Sequence, residues 1–404
     1  MALPPDDDVI GARLGRLRRQ QGLTQRGLAE RAGLSEALVQ KLEQGRRGSA
    51  RTSTFIALAN ALDVDLSELT GKRPRLGKDD DVRVLALRDV LLAPELVLDV
   101  SGQPGGRRIA EAASLDDVGR KVATAWRDYW AGRFTTLAGR LPRLVAAARA
   151  TSAEAGARAA GPLTQSYQLV AYLLVHLGKD DLAALAAERA IHAAATGDDE
   201  LQWATVHGTF AWALLHQGRT DAAEQHARAI AERIEPSIPR ASLEHLTVWG
   251  GLLLSAMAAA VAGGRRDAAI DFIGLARSAA GRFESGDRSD YQTNFGPTQV
   301  SMQATHAYAV LREPSKALKA ADGVRRQDLR SIAWGRHLID VAQAHVDAGE
   351  TKAAERMLLD AEDLSPEWFR HQGPARSLVG ELVQEARRMS PPLRRLAKSV
   401  GVER

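Results

Sequence analysis

TQRGLAERAGLSEALVQKL, residues 24–42, decides the architecture of the N-terminal end of this chain. Thr24 is placed to cap a helix beginning at Gln25, because its hydroxyl can take a backbone N–H that a first helical turn leaves without a partner. Leu28, Ala29 and Ala32 recur on one face of that helix, and Ala29 is small where two helices must nearly touch. Gly33 stands where the connection needs a left-handed backbone. Leu34 plugs the turn and Ser35 caps a second helix. Leu38, Val39 and Leu42 point inward, and Gly45 ends that helix. The whole stretch has the spacing of two short helices joined by a tight turn, the helix-turn-helix arrangement.

The charge distribution singles out the same end. Residues 1–78 hold 14 Lys and Arg against 9 Asp and Glu, whereas the remainder holds 40 against 41. All the excess positive charge therefore lies in the first fifth of a 404-residue chain, as in a nucleic-acid-binding module joined to a neutral body. Apolar residues make up 45% and charged residues 26%, the balance of a soluble globular protein. No uninterrupted apolar run is long enough to predict a membrane span, and no membrane partner is expected. Residues 1–8 carry three aspartates, which is unlike a signal peptide. The absence of cysteine removes disulfides, thiolate metal sites and Cys nucleophiles. A cytoplasmic, nucleoid-associated protein is the expectation.

With these positions in place, residues 13–69 resemble the Xre-type, lambda-repressor-like helix-turn-helix domain. That resemblance implies five helices, near 9–20, 25–31, 36–43, 52–61 and 66–70, and a double-stranded DNA partner. It makes the third helix the recognition helix, with Glu36, Ala37, Gln40 and Lys41 facing base edges. Gln40 suits adenine, Lys41 guanine, Ala37 a thymine methyl and Glu36 a cytosine amino group. Thr24 and Gln25 at a helix N-terminus, with Arg46, Arg47 and Arg51 in the following loop, are the expected phosphate contacts. Arg18 and Glu43 match the family's ion pair between helices 1 and 3, which supports the recognition helix. Two departures stand out. Gly27 replaces the family's usual Glu, and the loop 46–54 is one residue longer and lacks its frequent proline.

Beyond residue 70 the expectation is helix nearly throughout, since Ala, Leu, Arg and Glu dominate. Residues 71–81 (GKRPRLGKDDD) read as a linker and 82–160 as a helical connecting region. Within the latter, 95–100 is the most strand-like stretch. The Gly-rich loop 102–108 lacks the Gly-Lys-Ser/Thr of a phosphate loop and reads as a plain loop, with an anion nest as the alternative. Within a repeat domain at 161–404, the chain repeats one plan from 161 to 366: an aromatic or apolar helix, a polar turn and an Ala-rich helix. Turns begin at Gly178, Gly218, Gly264, Glu313 and Gly349. Gly ends the first helix, and an Asp, Ser or Thr is expected to cap the second. This resembles the tetratricopeptide repeat, with a capping helix in the tail. The fold class predicted is all-α, a five-helix DNA-binding domain followed by a tetratricopeptide-like solenoid.

The full plan resembles actinobacterial regulators that join an Xre-type domain to such repeats; FGPTQV at 295–300 and RHLIDVA at 336–342 carry that likeness. Gram-positive peptide-pheromone regulators share the plan more distantly. The repeat register lines a concave face with Gln168, Tyr172, His176, Thr205, Trp212, His216, Gln299, Met302, His306, Arg336 and Gln343. Such a lining suits a peptide or a mid-sized apolar effector with a few polar groups; the alternative is ordinary core and surface. Trp126, Tyr129, Trp130, Arg133 and Phe134 form a helical stripe that is either core, a dimer contact or a ligand cage. The scattered histidines form no metal or catalytic spacing, so no enzyme activity, metal or cofactor is expected. The implied function is transcription regulation by a homodimer on a palindromic operator, with the repeats sensing a ligand. The alternatives are a DNA-bound scaffold that docks a partner protein and an autonomous repressor whose repeats only dimerise.

Overall fold

The computed structural model describes residues 10–45, 52–62, 64, 69–70, 78–92, 112–386 and 388–402. The head comprises α1 (Ile10–Gln20), α2 (Gln25–Ala32), α3 (Glu36–Glu43) and α4 (Thr52–Leu62), and the chain is helical again at 69–70. Thr24 Oγ1 accepts from Gly27 N at 3.0 Å and Ser35 Oγ from Leu38 N at 3.3 Å, so both helices carry side-chain caps. Gly33 has φ 63° and closes the turn between them. Leu14, Leu17, Leu28, Val39, Leu42, Leu58 and Leu62 fill the head's own core. α1 reaches α3 through Gly11: a Cβ there would lie 2.2 Å from the Leu42 carbonyl oxygen.

After α5 (Lys78–Leu92), which takes in the last four residues of the expected linker, comes a stack of helical hairpins. They are α6/α7 (Leu115–Trp130, Phe134–Ala155), α8/α9 (Ala160–His176, Asp180–Ala194) and α10/α11 (Glu200–His216, Thr220–Arg233). Next are α12/α13 (Leu243–Ala262, Arg266–Ala280), α14/α15 (Pro297–Val310, Pro314–Ala321) and α16/α17 (Ser331–Asp347, Thr351–Leu364). The C-terminal end adds α18 (Pro366–Phe369), α19 (Gly373–Glu385) and α20 (Pro391–Val400) where the sequence suggests one capping helix. The body is therefore repeat-like and helical, and its hairpins begin at residue 115, one unit ahead of the repeats legible in the sequence.

One turn closes all six hairpins. Gly132, Gly178, Gly218, Gly264, Arg312 and Gly349 have φ between 60 and 82°. In the second hairpin Gly178 N donates to Val175 O at 3.0 Å and Lys179 N to Leu174 O at 2.9 Å, a Schellman motif, and the other five repeat the pattern. The expectation that Asp, Ser or Thr caps each second helix is corrected here. The capping positions are Arg133, Lys179, Arg219, Arg265, Glu313 and Glu350, none with a side-chain cap. Asp180, Asp181, Asp221 and Asp267 lie in the first turns instead, where a negative charge favours the helix dipole. The Ala-rich second helices then pack close: Ala183, Ala186, Ala187 and Ala190 of α9 are all fully buried.

Between α13 and α14 the chain forms a two-stranded antiparallel hairpin, β1 (Arg288–Asp290) and β2 (Thr293–Phe295), which the sequence reading did not foresee. The segment 95–100 lies outside the described residues, as does the loop 102–108. The hairpin is seated on α12. Added Cβ atoms would lie 2.1 Å from the Phe295 ring at Gly250 and 2.5 Å from Thr293 Cγ2 at Gly251, so β2 rests almost on the helix backbone. α12 is long and apolar enough by composition to cross a bilayer, and here it is a mostly buried helix of the body.

Candidate nucleic-acid interface and ligand cavity

The third helix of the head has two distinct faces. Val39 and Leu42 are buried, whereas Glu36, Ala37, Gln40 and Lys41 are exposed together on the opposite side. What fixes this helix is a bridge at its C-terminal end. Arg18 Nε donates to Glu43 Oε1 at 2.6 Å and Arg18 Nη2 to Glu43 Oε2 at 3.1 Å, a two-point contact. Gln25 Nε2 donates to Glu43 Oε2 at 2.8 Å, and Arg18 Nη1 reaches the Leu23 carbonyl at 2.7 Å. Burial alone would raise the Glu43 carboxyl. The bonds from Arg18 and Gln25 and the Arg18 charge outweigh it and hold that carboxyl below its usual range. The Gln25 side chain thus joins α2 to α3, beside a helix N-terminus that the Thr24 cap leaves pointing outward. Arg46, Arg47 and Arg51 lie outside the described residues.

The body contains a half-open cavity of about 270 Å³. Eight residues of the expected concave lining meet there: Tyr172, His176, Thr205, Trp212, Gln299, Met302, His306 and Arg336. Three do not line it. Gln168 is fully buried and donates to Thr209 Oγ1 at 3.0 Å, and Gln343 donates to Asp347 at 3.0 Å. His216 packs edge-on against Trp212 with centroids 5.0 Å apart.

One wall of the cavity is aromatic. Tyr129 and Tyr172 stack at 5.4 Å, Tyr172 meets Trp212 edge-on at 5.0 Å, and Tyr129 OH lies 3.1 Å from His176 Nε2. Burial pushes both tyrosine hydroxyls up. Burial, with the Arg336, His216 and His371 charges, holds His176 well below the usual imidazole range, so this wall is uncharged at neutral pH. Arg330 lies over the Trp130 ring at 4.5 Å and donates to Gln292 Oε1 at 2.8 Å, which also accepts from Trp130 Nε1 at 3.1 Å. His306 Nδ1 and Asp340 Oδ1 are 2.9 Å apart.

Residues 9–70 match the helix-turn-helix domain family. Over 61 residues the chain is 41% identical to the uncharacterised helix-turn-helix transcriptional regulator y4dJ of Sinorhizobium fredii, covering 15% of this chain and 78% of that protein. This chain belongs to the helix-turn-helix transcriptional regulators. Among solved structures, the regulator is similar to Bacillus thuringiensis PlcR in complex with the peptide PapR7 and DNA. The identity is 12% and the TM-score 0.32, over 78% of this chain and 95% of that one. A PrgX mutant gives 9% identity and a TM-score of 0.24, over 88% and 93%.

The regulator's cavity also contains residues that sequence reading did not place there. Gln292, Thr293 and Asn294 come from the β-hairpin, Gly251 and Ser255 from α12, and Arg330 from the residue just before α16. The stripe from Trp126 to Phe134 serves two purposes. Trp126 and Phe134 are core, while Tyr129 and Trp130 also face the cavity. Arg133 instead binds Asp128 at 2.7 Å. A mid-helix Gly-Gly pair in α12 was the available signal for the hairpin's seat. Among the described residues no group of His, Asp and Glu is arranged to hold a metal.

Proposed function

We propose that this helix-turn-helix regulator is an Xre-type protein that binds a palindromic operator as a homodimer, and that its tetratricopeptide-like body senses a ligand. Half-sites would then lie about 34 Å apart. In this reading Glu36, Ala37, Gln40 and Lys41 read bases. Thr24 and Gln25, with Arg46, Arg47 and Arg51, hold phosphates, and Arg18 and Glu43 set the pose of the reading helix. The protein works in the cytoplasm and carries out no catalysis. The observation that carries the sensing half is the cavity: aromatic, amide, imidazole and guanidinium groups from five of the six hairpins converge on one space. Its ligand, a small molecule or a peptide, touches Tyr129 and Trp130 of α6, the first of those hairpin helices along the chain from the head. Differential affinity for two arrangements of the dimer is what would transmit the signal.

The test is capture of genomic fragments by the full-length protein at fixed salt, with and without cell extract. A palindromic motif whose enrichment changes with extract is expected. Lys41→Ala should lose discrimination at particular base pairs, by about 1–3 kcal/mol each. An equal loss of affinity over all sequences would overturn the assignment of the reading helix. A motif indifferent to extract would favour an autonomous repressor.

A further inference from the structure

The charges of the cavity point to one class of ligand. Its lining contains two arginines, Arg330 and Arg336, and no Asp or Glu. Arg330 is already engaged: it donates to Gln292 and to Ser289 Oγ at 2.6 Å and covers the Trp130 ring. Arg336, half-buried on α16, has no hydrogen-bond or ion-pair partner among the described residues. The carboxylate one turn further along the same helix, Asp340, is bound by His306. A guanidinium that lines a pocket with no acceptor of its own keeps its donors available, and a planar two-oxygen anion is the partner its donor fork fits best. The same lining holds the Tyr172 and Trp212 rings, with Met302, Leu252 and Val248 adding apolar surface. The space is at the small end for ligand cavities, sized for a compact molecule or the last residues of a chain.

We infer that the cavity binds a carboxylate attached to a compact apolar or aromatic body, with Arg336 receiving the carboxylate and the Tyr172–Trp212 wall receiving the body. This rests on the sensing reading above and names its ligand chemistry. A free small acid and the C-terminus of a short peptide share that chemistry.

Calorimetric titration of the full-length protein with 3-phenylpropionate, its amide and its amine separates the possibilities. A tripeptide ending in phenylalanine, with a free or an amidated terminus, is titrated in parallel. At least one free carboxylate should bind about tenfold or more tightly than its own amide. Arg336→Gln should abolish that preference and leave amide affinity unchanged, with an unaltered unfolding midpoint. Preference shown by the phenylpropionate pair identifies a small acid, and preference confined to the tripeptide pair identifies a chain terminus. The inference falls if amide or amine binds as well as acid, if the preference survives Arg336→Gln, or if no probe binds at millimolar concentration. Operator affinity is then measured with the bound acid. Selective, Arg336-dependent binding that leaves DNA affinity unchanged would keep this site and overturn the sensing function.

Discussion

The head and the body put their polar groups to opposite use. In the head the groups assigned to DNA project outward from a helix of eight residues, and the buried polar contact, Arg18–Glu43–Gln25, lies behind them as a support. In the body the corresponding groups face inward, and the outer surfaces of the hairpins carry ordinary exposed charge pairs such as Arg228–Glu232. An outward reader depends on the pose of one short helix. An inward-facing pocket depends on several helices agreeing about one shared space. Failure should therefore be abrupt and local in the first case, and distributed in the second.

The largest expected effect tests the body. Gly250→Val would drive a side chain into the fully buried Phe295 ring. A loss of about 3 kcal/mol is expected, read as a lower urea midpoint, together with loss of probe binding in the cavity. Unchanged stability would mean that the β-hairpin is not held against α12.

Next comes the support of the reading helix. Glu43→Ala leaves Arg18 and Gln25 without their acceptor and should cost the head about 2 kcal/mol, read by faster hydrogen exchange across α1–α3. The same contact gives a pH signature. Because the folded Glu43 carboxyl lies below its usual range, its stabilisation is complete above the ordinary glutamate value of about 4.3. It is lost as pH falls from there through the lower folded value. The Glu43→Ala head should lack that component of acid sensitivity.

The smallest effect compares one turn with its five equivalents. Nothing lies within 4 Å of a Cβ added at Gly349, so Gly349→Ala costs only the left-handed backbone, about 1 kcal/mol. Arg312 already accepts that cost at the fifth hairpin, where it also pairs with Asp347. A Gly349→Ala loss well above 1 kcal/mol would show that the six turns are not equivalent.

How much of this was legible in the sequence follows from how locally each feature is determined. The four helices of the head fall within a residue of their expected bounds, since caps and turn glycine act over three or four positions. The exposed face that carries Lys41 and its neighbours was legible for the same reason. The hairpin turns were visible where Gly marks them, and the one at Gly132 escaped because the preceding helix reads as an aromatic stripe, not as a repeat. Arg312 hid the fifth turn's left-handed residue entirely. The cavity was partly legible, because a fixed register sends Tyr172 and His176, or Gln299, Met302 and His306, to the same side. Gln292 and Arg330 were not, because no periodicity connects a β-turn or a residue ahead of a helix to a face of the stack. Only three-dimensional closure brings residue 129 to residue 330.

That β-turn has a further consequence for how such proteins diversify. The helical hairpins are tied to one another by packing along their length, so altering one disturbs its neighbours. The strand pair at 288–295 enters the cavity from a connection between two hairpins, and Gln292, Thr293 and Asn294 face the space without belonging to the stack. As long as Phe295 and Thr293 keep their seat on the α12 glycines and residues 291 and 292 tolerate a left-handed backbone, a change at Gln292 re-aims Arg330 and Trp130 without touching a hairpin helix. A lineage could thus acquire a new chemical preference by rewriting a few adjacent codons, leaving the repeat scaffold and the DNA reader intact.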